Sequence, residues 1–419
     1  MSAKKLRDDC FALPPGVDWT PVDRALALLR DALAPVCARS EVPLEEADGR
    51  VLAAAVPAAR ANPPTANAAV DGYGFAFGPG PGPEGFDLAL MAGRSAAGAP
   101  FTGPVPPGHA IRILTGAFLP PGVDTVVMQE DVEIAGGRLR FGPGIRPGAN
   151  CRAAGEDVAA GAPLLAAGHR LRPGDLALLA ATGVARLPVH ARLRVGVLST
   201  GDELCPAGAA TSPYQIHDAN RPMLLALLAR WGMAAVDLGH APDDRAALRS
   251  CLDAAAGRVD AVITSGGASA GDEDHLSALL NAEGAVHSWR IALKPGRPLA
   301  LGQWRGVPLF GLPGNPVAAF VCALIFARPA LGLMAGERWL EPAGFQLPAA
   351  FSKDKRPGRR EYLRARIGAD GRAEVFASEG SGRISGLAWA GGLVELEDGA
   401  RQIRPGDMVR FLPFASFGL

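Results

Sequence analysis

The stretch SGGASAGDED, residues 265–274, joins a glycine-rich turn to three consecutive acids. An apolar run, DAVITSGG, leads into it and a helical pattern follows, so the stretch should connect a strand to a helix. Backbone N–H groups in such a turn, together with the helix N-terminus, bind anions such as phosphate. Because Asp272, Glu273 and Asp274 repel phosphate, either the acids hold a cation or the stretch is an ordinary turn that Asp272 caps.

Three similar turns follow other predicted strands in the same part of the chain. Strands and helices alternate between residues 193 and 333, which predicts a doubly wound parallel sheet with helices on both faces. Ligands of such sheets bind at the carboxyl ends of the strands, so we expect all four turns to meet in one crevice. The three further turns are STGDEL (199–204), GHAPDD (239–244) and GLPGNPVAA (311–319).

The turn LKPGRP, residues 293–298, places Lys294 and Arg297 three residues apart, and Arg290 precedes them. This local group of cations suits an oxyanion, although a solvated hairpin turn would have the same residues. Cations and acids in one crevice suit a phosphate together with Mg²⁺, which takes carboxylate and phosphate oxygens as ligands. The acids in this region are Asp202, Asp243, Asp272 and Asp274.

Three more motifs with polar residues in glycine turns lie before the alternating region. Each alone is equally well interpreted as an ordinary turn. They are AAVDGYGFAF (68–77) with Asp71, RILTGAFLPPGVDTVVMQED (112–131) with Thr115, and RAAGED (152–157) with Glu156.

Changes in composition along the chain indicate several domains. Residues 76–150 are dense in glycine and proline with short apolar pieces, which predicts a small β-rich domain. Helical character resumes over residues 151–192, so the β-rich part should be an insertion within another domain. Residues 340–419 hold short strands separated by DG, GG and PGD turns, which is typical of a small β-barrel or sandwich.

The overall charge is balanced, with 42 basic and 42 acidic residues. Such a balance gives no electrostatic footprint for nucleic acid or an anionic membrane, so neither is an expected partner. Six cysteines lack zinc-site or redox spacing, the N-terminus has no apolar signal region, and the apolar run 317–327 is shorter than the ~20 residues of a spanning helix. We therefore expect a cytoplasmic protein with reduced thiols.

Taken together, the motifs resemble those of the MoeA/gephyrin E-domain family, the molybdopterin molybdenumtransferases. The resemblance runs from about residue 20 to the end, through EADGRVLA, DGYGFAF, RILTGAFLPPGVDTVVMQED, GEDV, STGDEL, ITSGGASAGDED, LKPGRP and GLPGNPV. It implies four domains and an elongated homodimer, with a transient contact to the molybdopterin adenylyltransferase. The implied domains are an elongated one (1–57 and 154–192), a β-rich lid (58–153), an α/β molybdopterin-binding domain (193–335) and a C-terminal β-barrel (336–419).

The resemblance also implies a reaction and its site. Adenylylated molybdopterin and molybdate would be the substrates, Mg²⁺ the metal, and AMP a product. The site would lie between the lid of one subunit and the α/β domain of the other. The implied catalytic residues are Asp71, Thr115 and Glu156 from the lid side, with Asp243, Asp274 and Lys294 from the partner; Asp243, Asp274 and Glu156 would bind the metal. The implied substrate-binding residues are Asp202, Ser265, Gly266, Gly267, Ser269, Arg290, Arg297, Pro313, Gly314, Asn315, Pro316, Arg364 and Ser381.

Some residues depart from the family pattern. The family's usual Ser-Ala-Met before Asp71 is Ala68-Ala69-Val70 here, which would loosen that loop. Arg290 and Arg297 stand where lysines are usual, and arginine keeps the charge with a different geometry. The altered loop keeps open a non-catalytic molybdopterin-binding or scaffold protein of the same fold. An enzyme that inserts tungstate is a further alternative, because tungstate and molybdate are near-identical dianions.

Overall fold

The computed structural model describes residues 19–266, 275–289, 291–296 and 299–419. The chain opens with a helix whose apolar residues recur at helical spacing, so that Val22, Ala25 and Leu29 are buried on one face. Two short strands follow before the inserted segment. These elements are α1 (Val22–Ala32), β1 (Arg39–Pro43) and β2 (Val56–Pro57).

Residues 58–153, here called the lid, form a six-stranded sheet and a separate two-stranded pairing. The sheet order is β7-β4-β6-β5-β9-β8, and all its pairs are antiparallel except β5 with β6. Phe75, Phe86 and Phe141 pack together on one face of the sheet, with ring centroids 4.8–5.3 Å apart. The lid strands are β3 (Asn67–Ala68), β4 (Gly72–Phe75), β5 (Phe86–Ser95), β6 (His109–Ile113), β7 (Thr125–Met128), β8 (Glu133–Ala135), β9 (Arg138–Phe141) and β10 (Cys151–Arg152).

The segment after the lid pairs back onto the segment before it. It contains β11 (Pro163–Leu165), α2 (Pro173–Ala181) and β12 (Arg186–His190). Strand β12 runs antiparallel to β1, and β11 runs antiparallel to β2. Leu52, Leu171, Leu187 and Val189 share one buried cluster there. The lid is therefore an insertion into this small unit.

Residues 193–335, here called the α/β unit, alternate strands and helices as the sequence predicted. Two of the strands, β14 and β15, pair with each other outside the main sheet. The elements are β13 (Arg194–Thr200), β14 (Leu204–Cys205), β15 (Ile216–His217), α3 (Asn220–Arg230), β16 (Ala234–Ala241), α4 (Arg245–Ala256), β17 (Ala261–Ser265), α5 (His275–Glu283), β18 (Ala285–Trp289), β19 (Leu293–Lys294), β20 (Leu299–Trp304), β21 (Val307–Leu312), α6 (Pro316–Cys322) and α7 (Arg328–Met334).

The main sheet has the order β16-β13-β17-β21-β20-β18. The first four strands are parallel, whereas β20 pairs antiparallel with both β21 and β18 and so runs against the other five. The sheet is thus mixed, where the sequence predicted a parallel one. The reason is the two-residue turn Arg305-Gly306, in which both φ angles are positive (50° and 82°). Such a turn closes a tight hairpin, so β20 must run antiparallel to β21.

Helices cover both faces of this sheet, so the predicted doubly wound arrangement is confirmed. On one face Val195, Val197, Ile263 and Phe310 pack with residues of α3, α6 and α7. Successive side chains of a strand point to opposite faces of the sheet. On the other face, Leu198, Val262 and Leu309 pack with apolar residues of α4 and α5. The strand-end turns therefore emerge between two packed layers.

Helices α6 and α7 form one continuous helical run, Pro316–Met334, through a π-helical segment at Ala323–Ala327. By length and composition this run could cross a membrane, but 94% of its most apolar window is buried inside the protein. It packs in the largest core cluster, together with α1 and residues of the C-terminal sheet such as Leu393 and Leu412. It is the central core helix of the molecule.

The remaining residues, 336–419, form the C-terminal unit, which is β-rich as predicted. Its larger sheet has the order β19-β24-β26-β28-β22, with β25 beside β24, and β23 pairs separately with β27. Strand β19 belongs to the α/β unit, so the two units share a sheet at Leu293 and Lys294. The elements are β22 (Phe345–Pro348), β23 (Lys353–Lys355), β24 (Arg360–Ile367), β25 (Ala373–Val375), α8 (Ser385–Trp389), β26 (Gly392–Leu396), β27 (Arg401–Ile403) and β28 (Met408–Pro413).

Candidate active site

Two predicted acids meet at the carboxyl ends of β13 and β16. The N–H of Asp243 donates to Oδ1 of Asp202 at 3.0 Å, and the N–H of Asp202 donates to Oδ2 of Asp243 at 3.4 Å. The cap of α4 is Asp244, whose Oδ1 accepts from the N–H of Ala247. Because Asp244 caps the helix, the Asp243 carboxylate is not used by α4 and faces the crevice.

The turns after β17 and β21 are tied together by a side chain of α3. Nδ2 of Asn220 donates to Oγ of Ser265 and to the carbonyl oxygen of Gly314, both at 2.7 Å. Gly266 has φ +95°, and a Cβ there would lie 2.5 Å from the carbonyl oxygen of Thr200. Only glycine allows the β17 turn to approach the end of β13 this closely.

Several polar atoms at these strand ends lack a partner among the described residues. Three buried oxygens make no hydrogen bond to any described residue: Thr200 Oγ1, Thr264 Oγ1 and Asn220 Oδ1. Buried polar groups are normally paired, so unpaired ones in a crevice indicate a place for a polar ligand. The predicted residues Gly267, Ser269 and Asp274 lie outside the described residues, as do Asp272 and Glu273.

The carboxylate oxygens of Asp202 and Asp243 are ligands of the kind that Mg²⁺ prefers. Asp202 and Asp243 each use one carboxylate oxygen for the other's backbone N–H, and each keeps a second oxygen. Mg²⁺ needs one or two protein carboxylates when phosphate and water supply its remaining ligands. Within the described stretches, no group of three or more His, Cys, Asp or Glu side chains forms a complete metal site. The predicted ligand set draws Glu156 from one subunit and Asp243 from the other, and its third member, Asp274, lies outside the described residues.

The basic turn lies against the C-terminal unit. Nζ of Lys294 donates to Oε2 of Glu379 at 2.6 Å and lies 3.7 Å from Oε1 of Glu361. Lys353 contacts the same two acids. Burial opposes ionisation of Glu379, but the hydrogen bonds from Lys294 and Lys353 outweigh it and hold the pKa of Glu379 below its usual value. Arg290 and Arg297 lie outside the described residues.

Lys294, Lys353 and Glu379 line a cavity of about 170 Å³ that reaches Arg364 and the start of α6. Arg364 is only 4% exposed, and its guanidinium donates to the carbonyl oxygens of Ser378, Gly380 and Arg383. Arg364 thus holds the loop 378–383 in place. That loop carries Ser381, whose carbonyl oxygen accepts from the N–H of Val317 at 3.1 Å.

The GLPGNP turn therefore sits between the crevice and this cavity. Asn315 occupies the cap position of α6 without a side-chain cap bond, so its exposed amide is not used by the helix. Pro316 is the first residue of α6. Pro313 is buried and lies against Gly296 of the basic turn, since a Cβ built on Gly296 would be 3.7 Å from the Pro313 Cγ. Lys294, Pro313, Gly314 and Asn315 are thus brought to one edge of the sheet.

The lid residues form a second polar group. Asp71 Oδ1 accepts from both the N–H and the Oγ1 of Thr115, at 2.7 and 2.6 Å. These bonds hold the pKa of the exposed Asp71 carboxyl below its usual value. Glu156 accepts from the N–H of Ala153 at 2.9 Å and is exposed. Among the described residues, no hydrogen bond or ion pair joins Asp71, Thr115 or Glu156 to the acids of the α/β unit.

Sequence reasoning missed several residues of this region. Asn220 belongs to none of the motifs, and its amide bridges two strand-end turns. Lys353, Glu361 and Glu379 carried no motif at all. Glu361 lies opposite Lys294 in the pairing of β19 with β24, and Glu379 joins Lys294 and Lys353 through its side chain. A contact of this kind links residues more than sixty positions apart, so no local pattern could have revealed it.

Comparison with known proteins places the chain in a family. Three family models match consecutive parts of it: the MoeA N-terminal region (domain I and II) over residues 20–183, a probable molybdopterin binding domain over 196–332, and the MoeA C-terminal region (domain IV) over 346–414. These matches cover most of the chain in the same order as the motifs.

Relatives and solved structures agree with the family models. The molybdopterin molybdenumtransferase of Haemophilus influenzae is 36% identical over 377 residues, which is 88% of this chain and 93% of that protein. Molybdopterin molybdenumtransferase 2 of Mycobacterium tuberculosis is 33% identical over 89% of this chain and 95% of that protein. The crystal structure of the molybdopterin biosynthesis moeA protein of Pyrococcus horikoshii has a TM-score of 0.81 at 28% identity, covering 94% of this chain and all of that one. The resemblance predicted from the motifs is confirmed, and the chain belongs to the MoeA family.

Proposed function

We propose that this protein is a molybdopterin molybdenumtransferase. It takes adenylylated molybdopterin and molybdate, cleaves the adenylate to release AMP, and leaves molybdenum on the dithiolene sulfurs of the pterin. The names of the relatives support this activity, since two of them match more than nine-tenths of their own length. The dithiolene sulfurs belong to the substrate, so the chemistry requires no cysteine of the protein.

One observation of the structure supports the proposal most directly. The paired carboxylates of Asp202 and Asp243, the turn held by Asn220, and the cationic Lys294 all lie at one edge of the sheet. An anionic diphosphate substrate needs backbone donors and cations, and its metal needs carboxylates. Both kinds of group are present at this edge, while the molecule as a whole is neutral.

The described residues would have separate roles in binding the substrate, the metal and molybdate. Ser265, Gly266 and Gly314 form the turns that approach the substrate, and Asn220 fixes their relative positions. Asp202 and Asp243, with Asp274, would hold Mg²⁺, which when bound neutralises charge on the phosphate oxygens. Lys294 would attract molybdate into the neighbouring cavity, and Arg364 holds the loop that carries Ser381 beside it.

We further propose that the working unit is a cytoplasmic homodimer. The lid group of Asp71, Thr115 and Glu156 would then complete the site of the partner subunit, because no hydrogen bond or ion pair joins this group to Asp202 or Asp243 among the described residues. Glu156 would complete the metal site in this way. A transient complex with the adenylyltransferase that supplies the substrate would protect the adenylylated intermediate during transfer.

The test is release of AMP from adenylylated molybdopterin by the purified protein. Release should require molybdate and Mg²⁺, and Asp274→Asn or Glu156→Gln should nearly abolish it while the fold, checked by circular dichroism, is unchanged. Full activity in both variants would contradict the assigned acids. Tight binding of molybdopterin without turnover would favour a scaffold role, and faster release with tungstate would identify a tungsten-inserting enzyme.

A further inference from the structure

One arginine of the lid lies next to Asp71 and belongs to none of the motif roles described above. Arg112 on β6 is directly opposite Tyr73 on β4 in the strand register, so the two side chains share a face of the lid sheet. The centre of the Arg112 guanidinium lies 5.0 Å from the centroid of the Tyr73 ring. At this distance a guanidinium stacked on an aromatic ring is attracted to it.

The same guanidinium ties together the backbone on both sides of Asp71. Nη1 of Arg112 donates to the carbonyl oxygen of Gly72 at 3.3 Å, and Nη2 donates to Oε1 of Gln129. Gln129 in turn donates its backbone N–H to the carbonyl oxygen of Asp71 at 3.2 Å. One side chain thus connects β4, β6 and the residue that follows β7.

The Asp71 carboxylate is held at its other end by Thr115, three residues after Arg112 on the chain. Arg112 therefore fixes the backbone that carries Asp71 while Thr115 fixes the carboxylate itself. This matters because Ala68-Ala69-Val70, just before Asp71, supplies no hydroxyl to hold the loop. The positive charge of Arg112 also contributes to the lowered pKa of Asp71, after the larger effect of the Thr115 bonds.

We propose that Arg112 is a positioning residue that holds the Asp71 loop of the lid in the orientation required by the partner subunit's site. The proposal rests on the proposed function, because Asp71 acts on substrate only if the lid completes that site. Other charged groups nearby are Arg94, opposite Arg112 on β5, and Glu130, which accepts a hydrogen bond from the Gln129 side chain. Neither makes a hydrogen bond to the Asp71 loop in the described part of the chain.

Arg112→Gln in the full-length dimer should lower kcat for AMP release by about 10- to 100-fold, since a misplaced catalytic group costs roughly that factor. KM should change much less, because the substrate contacts lie on the other subunit. Arg94→Gln is the matched control: it removes a neighbouring lid arginine of the same charge and should leave kcat within about twofold of wild type. An equal loss in both variants would assign the effect to lid charge and overturn the positioning role.

Two further readouts separate positioning from folding. Loss of the positive neighbour raises the pKa of Asp71, so the acid limb of kcat should move to higher pH in Arg112→Gln, whereas Arg112→Lys keeps the charge and should keep the limb. A crystal structure of Arg112→Gln should show the Asp71 carboxylate displaced from Thr115. If both Thr115 bonds persist, or if kcat is unchanged while the wild type is active, the inference is wrong. Absence of AMP release in the wild type would instead contradict the proposed function, and the crystal structure would still decide the role of Arg112.

Discussion

Glu379 is an acidic residue that lines the cavity beside the crevice. Its carboxylate accepts from Lys294 and Lys353, and it is 40% exposed, whereas Glu361 beneath them is buried. If molybdate binds in this cavity as proposed, it competes with the Glu379 carboxylate for the two lysines. Because the pKa of Glu379 is held low by those lysines, the competition persists at neutral pH and weakens only as the carboxyl protonates in acid.

Glu379→Gln should therefore bind molybdate more tightly than the wild type. A partly exposed ion pair contributes about 0.5–1 kcal/mol, which corresponds to a roughly two- to fivefold lower KM for molybdate. The measurement is AMP release at a series of molybdate concentrations. Glu374→Gln removes a carboxylate that pairs with Arg366 on the edge of the same sheet, and it should leave this KM unchanged. A KM that stays the same or rises in Glu379→Gln would argue against competition between the carboxylate and the oxyanion.

At the scale of elements, the crevice depends on how closely the β17 turn approaches the end of β13. Gly266→Ala would place a Cβ 2.5 Å from the Thr200 carbonyl oxygen at a φ of +95°. We expect a loss of roughly 1–3 kcal/mol in the free energy of unfolding, measured by urea denaturation, and weaker substrate binding. Gly257→Ala, where a Cβ has open space and φ is negative, should be close to neutral. Wild-type stability and KM in Gly266→Ala would show that the turn tolerates a side chain.

The elements also show which features the sequence could predict. Alternating apolar runs and helical patterns predicted β13, β16, β17, β21 and the helices between them, because local periodicity determines those elements. The antiparallel strand β20 was missed, since it depends on the Arg305-Gly306 hairpin, where a non-glycine residue adopts positive φ. Asp202, Asp243 and the glycine turns were predicted as one group because carboxyl ends of parallel strands share an edge. The contacts of Lys294 were not predictable, because they arise from pairing between distant strands.

At the scale of the whole molecule, the polar residues fall into two sets on different units. Asp71, Thr115 and Glu156 lie on the lid side, and Asp202, Asp243 and Lys294 lie on the α/β unit. No hydrogen bond or ion pair joins the two sets anywhere in the described stretches. We therefore propose that two copies of the chain must associate to complete a site that needs both sets.

Mixed dimers test this arrangement directly. Asp71→Asn and Asp243→Asn should each be nearly inactive as homodimers, because every site then lacks one acid. When the two variants are mixed in equal amounts and allowed to exchange, half of the dimers are mixed, and each of these has one site with both acids intact. About one quarter of all sites, and hence about one quarter of wild-type AMP release, should return. Differently tagged chains allow the mixed dimer to be purified, where the expected activity is about half. Activity that stays at the level of the homodimers, with mixed dimers present, would show that each chain forms its site alone.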